Sequence, residues 1–187
     1  MTGLKFKVSP SYFNEDSMPL NLPSLKYAEE MALRKAEGVA VKYPDAVIIG
    51  ADTIVVCKNK ILGKPKNEKE AEEILKFACN EISDVLTGVA VIDTKTNRTE
   101  KFVDSTKVKM RNYGDEAIKE YVASGAPFRY AGAFAIQDRD WVESIDGSFF
   151  NVVGFPVLKV LKILKNFGII IPEEKIEEIR KKDFYQF

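Results

Sequence analysis

Apolar positions change between strand spacing and helix spacing along the chain, which predicts a mixed α/β fold. Residues 46–57, AVIIGADTIVVC, form a continuous apolar run that is rich in β-branched side chains and contains one acid. Such a run is typical of a strand that helices cover on both faces. Paired strands are predicted at 84–93 and 100–111, joined by a turn. Shorter strands are predicted at 131–137, 141–144 and 149–153.

The helical spacing of apolar residues predicts helices between these strands. Asn67, with Glu70 three residues later, resembles a capping box at the start of one of them. Gly125 and Gly168 stand where a glycine commonly ends a helix. The helices are expected at 24–41, 67–80, 115–124, 157–167 and, as a charged peripheral helix, 173–182.

Composition narrows the classes of protein that fit this pattern. The chain has 187 residues with 45% hydrophobic side chains, which suits one domain, or two small lobes around one site, with a real core. Its 28 basic and 28 acidic residues cancel, which argues against a protein that coats nucleic acid or an anionic membrane. Histidine is absent, which excludes Ser-His-Asp and Cys-His catalysis and histidine-ligated zinc. An enzyme of this composition would use carboxylates, lysines, hydroxyls, amides or a hard metal ion.

Cysteine usage and hydropathy favour a soluble protein of the cytoplasm. Cys57 and Cys79 form no CxxC pair, and a disulfide framework would need more cysteines. No stretch approaches the roughly 20 apolar residues of a membrane span. Residues 1–10 also lack the apolar core of a signal peptide. We therefore expect a cytoplasmic location.

Asp52 and Lys64 are the first candidates for chemistry. An ionised carboxylate inside an apolar strand is costly unless it is paired, hydrated or bound to a metal. Asp52 is therefore either a functional acid or a structural one at a bulge beside Gly50, and the residues leave both interpretations open. Lys64 projects from the stiff loop Gly63-Lys64-Pro65, where it can neutralise a phosphate or simply be solvated.

Three further polar residues each have a functional and a structural interpretation. Lys35 lies on the first helix and is either a site cation or a surface lysine. Glu15, in Asn14-Glu15-Asp16, is either a metal-binding carboxylate or part of a solvated turn. The Gln137 amide offers a donor and an acceptor side by side, which suits the edge of a pyrimidine. Its alternative role is a strand end satisfied by backbone groups.

Six sequence blocks stand in an order and spacing that are more specific than any one block alone. They are GADTIV at 50–55, LGKP at 62–65, LTGVAV at 86–91, YVASG at 121–125, AGAFAIQ at 131–137 and IDGSFFNVVGFP at 145–156. Together they resemble the Maf family of nucleoside triphosphate pyrophosphatases. The resemblance extends over nearly the whole chain, from about residue 4 to 167.

The resemblance implies an α/β fold in which a mixed, twisted sheet with flanking helices forms two lobes around a cleft. It implies hydrolysis of a nucleoside triphosphate to its monophosphate and pyrophosphate with a divalent cation, Mg²⁺ or Mn²⁺. Gln137 places the chain nearer the branch that resembles dTTP and UTP pyrophosphatases, and Thr53 and Gln137 match positions tied to base preference. The implied domain spans 1–171, and 172–187 form a charged C-terminal extension.

The same resemblance assigns roles within the implied cleft. Asp52 matches the proposed proton acceptor, and Glu15, Lys35 and Lys64 match polar residues around it. Glu15 and Asp52 would hold the metal together with the phosphates, since Mg²⁺ prefers oxygen ligands. The two lysines would stabilise charge on the phosphoryl oxygens. The expected partners are dTTP and UTP, with no nucleic acid and no membrane.

The start of the chain departs from the family pattern. Family members usually begin with a strand and a Ser-rich, Arg-containing segment resembling LASxSPRR, whereas this chain opens on the strand that normally comes later. Either the true N-terminus is missing from the chain, or the protein is a shortened relative with impaired activity, such as a nucleotide-binding regulator of cell division. In the second case the sheet exposes an edge that a partner, a second copy in a homodimer or another element of the chain has to cover.

Overall fold

One antiparallel sheet organises the chain. The computed structural model describes residues 3–19, 21–136 and 141–183. The strand order is β2-β1-β3-β4-β5, and every neighbouring pair is antiparallel. The strands are β1 (Val47–Cys57), β2 (Lys60–Leu62), β3 (Ile82–Asp93), β4 (Arg98–Met110) and β5 (Val142–Asp146).

Within the described residues six α-helices flank this sheet, which confirms the α/β class. None of the described helices is long and apolar enough to cross a membrane. They are α1 (Ser24–Ala40), α2 (Glu68–Ala78), α3 (Asp115–Ala123), α4 (Phe149–Val152), α5 (Val157–Leu164) and α6 (Glu173–Arg180). Short 3-10 turns lie at Glu15–Ser17, Ala126–Arg129, Ala131–Ala133 and Lys165–Phe167.

The predictions for the main elements are confirmed, including the N-cap of α2. The Asn67 carboxamide oxygen accepts a hydrogen bond from the Glu70 backbone N–H at 2.9 Å. The Glu70 carboxylate reaches one residue further back than in a standard capping box and accepts from the Lys66 N–H at 2.8 Å.

Two predicted short strands are wrong. Residues 131–136 begin as a 3-10 turn, because Gly132 and Ala133 adopt positive φ angles of 72° and 63° that no strand accommodates. Residues 149–152 form helix α4 instead of a strand. The Ser148 hydroxyl caps this helix by accepting a hydrogen bond from the Asn151 N–H at 3.2 Å.

Strand β1 is paired along its whole length on only one side. Against β3 it pairs from Val47 to Cys57, with Asp52 opposite Gly88. Against β2 it pairs only through its last three residues, Val55 to Cys57. Within the described residues, 47–54 therefore have no strand on the side away from β3, and this open edge becomes one boundary of the candidate site.

Helix α1 packs unusually close to one face of the sheet. A Cβ atom on Gly88 would lie 2.0 Å from the Ala28 carbonyl oxygen, and one on Gly50 would lie 2.4 Å from the Ala32 carbonyl oxygen. The helix presents small side chains to these glycines, and Ala28 and Ala32 are fully buried. Hydrogen in place of a methyl group at the two glycines lets the helix backbone rest directly on the strands.

The opposite face of the sheet is covered by α5 and α6. Val89 and Val91 of β3 pack there against Leu161 and Leu164 of α5. Helix α6 carries charges outward but buries Ile176 and Ile179 in the same cluster. Both faces of the sheet are therefore covered, as predicted from the apolar run of β1. A domain boundary at residue 171 stays a prediction.

The close approach of α1 makes a stability prediction for Gly88. We expect Gly88→Ala to lower the free energy of unfolding by about 1–3 kcal/mol, because the new methyl group overlaps helix backbone that must shift. Urea denaturation followed by circular dichroism measures the change. Gly38→Ala in α1 is the matched control, since its Cβ would meet only the Ser11 hydroxyl, at 3.4 Å. We expect that variant to be neutral or slightly stabilised. A Gly88→Ala protein as stable as the parent would contradict the packing.

Candidate active site

The candidate site is a cleft of about 560 Å³ that runs along the open edge of β1. Five consecutive strand residues, 51–55, line it. Side chains of consecutive strand residues point to opposite faces of a sheet. A cleft that touches all five must therefore lie across the edge of the strand and not on one face. Tyr27, Met31 and Lys35 of α1 line one side, and residues 61–64, 129–131 and 134–136 line another.

A lysine and two carboxylates meet where α1 faces β1. The Lys35 ammonium donates to Asp52 Oδ1 at 2.6 Å and lies 2.8 Å from Glu15 Oε1. Asp52 is the least accessible of the three, with 11% of its side chain exposed, whereas Glu15 is 59% exposed. The three residues come from three separate segments, so tertiary packing alone brings them together. The structure thus brings together Glu15, Lys35 and Asp52, which the sequence predicted for one cleft.

The charge state of Lys35 follows from these contacts. Burial by itself lowers the pKa of the Lys35 ammonium, but the hydrogen bonds to Asp52 and Glu15 outweigh that effect and raise the pKa above its usual value. A raised folded-state pKa means that the ion pairs stabilise the fold below the unfolded value. That stabilisation is lost only as the pH rises through the folded pKa. Lys35 is therefore a fixed cation at neutral pH.

Lys64 reaches the same cleft from the other end of β1. Lys58 and Asn59, both with positive φ, form a two-residue turn that sends β2 back along β1. Leu62 anchors β2 in the core at 2% exposure, and Lys64 follows it as an exposed side chain on the cleft wall. Lys64 thus projects from the loop at residues 63–65, as the sequence predicted.

Thr53 lies on the face opposite Asp52 and belongs to a polar network beneath the cleft. Its hydroxyl is 2.8 Å from the Thr87 hydroxyl and 3.3 Å from the Gly154 carbonyl oxygen. The buried Asn151 amide donates to the Val85 carbonyl oxygen at 2.9 Å and so ties α4 to β3. The network fixes the backbone around residues 151–154, which forms one wall of the cleft.

A family model described as "Maf-like protein" matches residues 1–167. The chain belongs to the Maf family. The resemblance to this family that the six sequence blocks carry is therefore confirmed. The matched range ends just before α6.

Curated relatives of this Maf-family chain agree in name. A "dTTP/UTP pyrophosphatase" from Dictyoglomus turgidum is 41% identical over 169 residues, which cover 89% of this chain and 87% of the relative. One from Alkaliphilus metalliredigens is 44% identical over 161 residues, covering 84% and 81%. One from Geobacillus sp. is 38% identical over 170 residues, covering 90% of each chain.

Not every predicted site residue can be placed in this Maf-family structure. Gln137 lies outside the described residues, so its role stays a prediction. Two aromatic side chains in the sequence blocks that carry the family resemblance belong to the core. Phe134 lies within the main core cluster at 7% exposure, and Phe149 packs against that cluster.

Sequence reasoning missed two cleft residues. Tyr27 lies on α1 beside the carboxylates, and burial, then the nearby charges of Asp52 and Glu15, raise the pKa of its phenol. A tyrosine on an amphipathic helix carries no sequence signal that separates a cleft residue from a surface residue. Arg129 ends a 3-10 turn at the cleft wall. A single arginine in a loop carries no sequence signal that separates it from other surface cations.

The ion cluster of this Maf-family chain makes a second stability prediction. We expect Lys35→Met to cost about 1–3 kcal/mol, because it leaves the poorly accessible Asp52 carboxylate without its cation. Urea denaturation of Lys35→Met, Asp52→Asn and the double variant gives the coupling energy, expected at about 0.5–3 kcal/mol.

Arg34→Met is the control on the neighbouring helix position. Among the described residues Arg34 pairs only with Glu37, and both side chains are about half exposed. We expect this change to stay within about 0.5 kcal/mol. Additive effects in the Lys35–Asp52 cycle would contradict the coupling.

Proposed function

We propose that this chain hydrolyses nucleoside triphosphates, dTTP and UTP among them, to the monophosphate and pyrophosphate. The single observation that carries the proposal is the meeting of Glu15, Lys35 and Asp52 in one cleft whose wall also carries Lys64. This arrangement places acidic groups for water and metal beside cations for phosphate. Family membership and the names of the relatives point to the same reaction.

Asp52 is the proposed general base. Lys35 engages its Oδ1 atom, and the other carboxylate oxygen has no hydrogen-bond partner among the described residues. That oxygen accepts a proton as water attacks the α-phosphorus atom. The bond from the α-phosphorus to the bridging oxygen then breaks, and its electron pair leaves with pyrophosphate. Lys35 holds the carboxylate in one orientation throughout.

The donor chemistry fits a hard divalent cation such as Mg²⁺ or Mn²⁺. Lys35 contacts one carboxylate oxygen of Glu15 and one of Asp52, which leaves the second oxygen of each carboxylate for a metal ion. Both side chains line the cleft. No group of three His, Cys, Asp or Glu side chains forms a metal cluster within the part of the chain that is described. Two carboxylates leave further positions to phosphate and water oxygens, which is the pattern that Mg²⁺ favours. When bound, the cation neutralises phosphate charge.

Lys64 is the proposed phosphate cation, and Thr53 and Gln137 are the proposed determinants of base preference. Lys64 stands at the cleft without a carboxylate partner among the described residues, so its charge is available to a phosphate. Thr53 contributes through the network that fixes residues 151–154. The cytoplasmic location and a homodimer stay predictions from the sequence.

The test is Asp52→Asn in an assay that separates pyrophosphate from orthophosphate. We expect the parent protein with Mg²⁺ or Mn²⁺ to release pyrophosphate from dTTP and UTP. We expect Asp52→Asn to lower kcat by about 10²–10⁴-fold, because the amide cannot take up the proton. Circular dichroism checks that the variant is folded.

Asp84→Asn is the matched control, since Asp84 is a half-buried acid on the adjacent strand that does not line the cleft. Its kcat should match that of the parent. Unchanged turnover in Asp52→Asn would remove Asp52 from the mechanism. Nucleotide binding by the parent without any pyrophosphate release would contradict the enzyme and favour the nucleotide-binding regulator.

A further inference from the structure

The charges around the cleft are unevenly distributed between its walls. The acids Glu15, Asp16 and Asp52 lie on the side formed by α1 and β1. Lys35 stands among them and is already engaged by two carboxylates. The other cations that line the cleft are Lys64 and Arg129, and neither forms an ion pair with any residue in the described ranges. One wall therefore carries three carboxylates and a single ammonium that is already engaged, while the other carries uncompensated positive charge.

Backbone contacts hold Lys64 and Arg129 on neighbouring loops. The Gly132 N–H, three residues after Arg129, donates to the Gly63 carbonyl oxygen at 3.1 Å, and Gly63 directly precedes Lys64. Gly132 also rests on Val55, since a Cβ atom there would lie 3.2 Å from that side chain. The two loops are thus fastened to each other and to the end of β1. Their cations share one rim of the cleft as a consequence of this fixed backbone geometry.

The anchoring of Arg129 is equally local. Gly125, in a left-handed conformation at φ 73°, turns the chain out of α3 into the 3-10 turn that Arg129 ends. Pro127 in the middle of that turn is buried, whereas Arg129 is exposed. The turn therefore has a fixed base and an outward-facing guanidinium. A guanidinium held in this way can form two parallel hydrogen bonds to a phosphate.

We propose that Arg129 is a substrate-binding residue that, together with Lys64, holds the phosphates that leave as pyrophosphate. The orientation of the triphosphate in the cleft, on which this assignment depends, rests on the proposed function. With the α-phosphate beside Asp52, the β- and γ-phosphates extend to the opposite rim, where the uncompensated cations lie. Arg129 then binds the polyphosphate in the ground state and stabilises the charge that develops on the departing pyrophosphate.

Binding of three probes tests the assignment without turnover. The probes are inorganic pyrophosphate, the non-hydrolysable α,β-imido-dUTP and dUMP, each measured by isothermal titration calorimetry with Mg²⁺. We expect Arg129→Ala to weaken the binding of pyrophosphate and of α,β-imido-dUTP by about tenfold. The affinity for dUMP should stay within about twofold of the parent value, because a charge-assisted contact is lost only at the outer phosphates. Arg129→Lys should recover part of the loss, since it restores charge without the bidentate geometry.

Lys119→Ala is the matched control. Lys119 is an exposed cation of α3, ten residues before Arg129, and it does not line the cleft. All three of its dissociation constants should equal those of the parent. If Arg129→Ala weakened the binding of dUMP and of pyrophosphate equally, the placement of Arg129 at the leaving phosphates would be overturned. No change for any probe would overturn the role altogether.

The outcome separates this inference from the reaction itself. A parent protein that binds pyrophosphate through Arg129 but releases none from triphosphates would support the cation assignment and contradict the proposed function. If the parent protein hydrolyses dTTP and the Arg129→Ala variant has the same KM and kcat as the parent, the proposed function is supported and the role of Arg129 is overturned.

Discussion

The close approach of α1 to strands β1 and β3 determines where the chemistry lies. At Gly50 and Gly88 the helix backbone comes so near that a single methyl group would collide with carbonyl oxygens. This approach brings Lys35 within 2.6 Å of Asp52 on the strand below. A bulkier residue at either glycine would push the helix away by more than a hydrogen bond tolerates. The ion cluster therefore depends on the absence of two side chains.

The open edge of β1 gives the cleft its mixed character. Because the cleft crosses an edge, it reaches Asp52 on the face of α1 and Thr53 on the face of α4 at once. The first face supplies charged groups, and the second supplies a rigid hydrogen-bonded wall. Because β1 is paired on only one side here, its adjacent residues Asp52 and Thr53 contribute to two different walls of the same cleft.

The sequence predicted the elements that periodicity encodes and the residues that break it. Asp52 stood out because one acid interrupts an apolar run, and the strand and α1 followed from their spacing. The contact of Lys35 with Asp52 depends on how far α1 lies from the sheet, which no local pattern encodes. Residues 131–137 misled the prediction because their apolar run hides two left-handed backbone angles. Arg129 was overlooked because its significance comes from a loop pairing between distant segments.

A chain without histidine needs another cation to hold an acidic side chain in one orientation. Lys35 provides it, because its own pKa is raised by the same carboxylates that it neutralises. The three groups consequently form a unit, and replacing one of them leaves the others without a charged partner. Two carboxylates already engage the Lys35 ammonium. Further positive charge in the cleft comes from Lys64 and Arg129, whose loops are fastened to each other and to the end of the same strand.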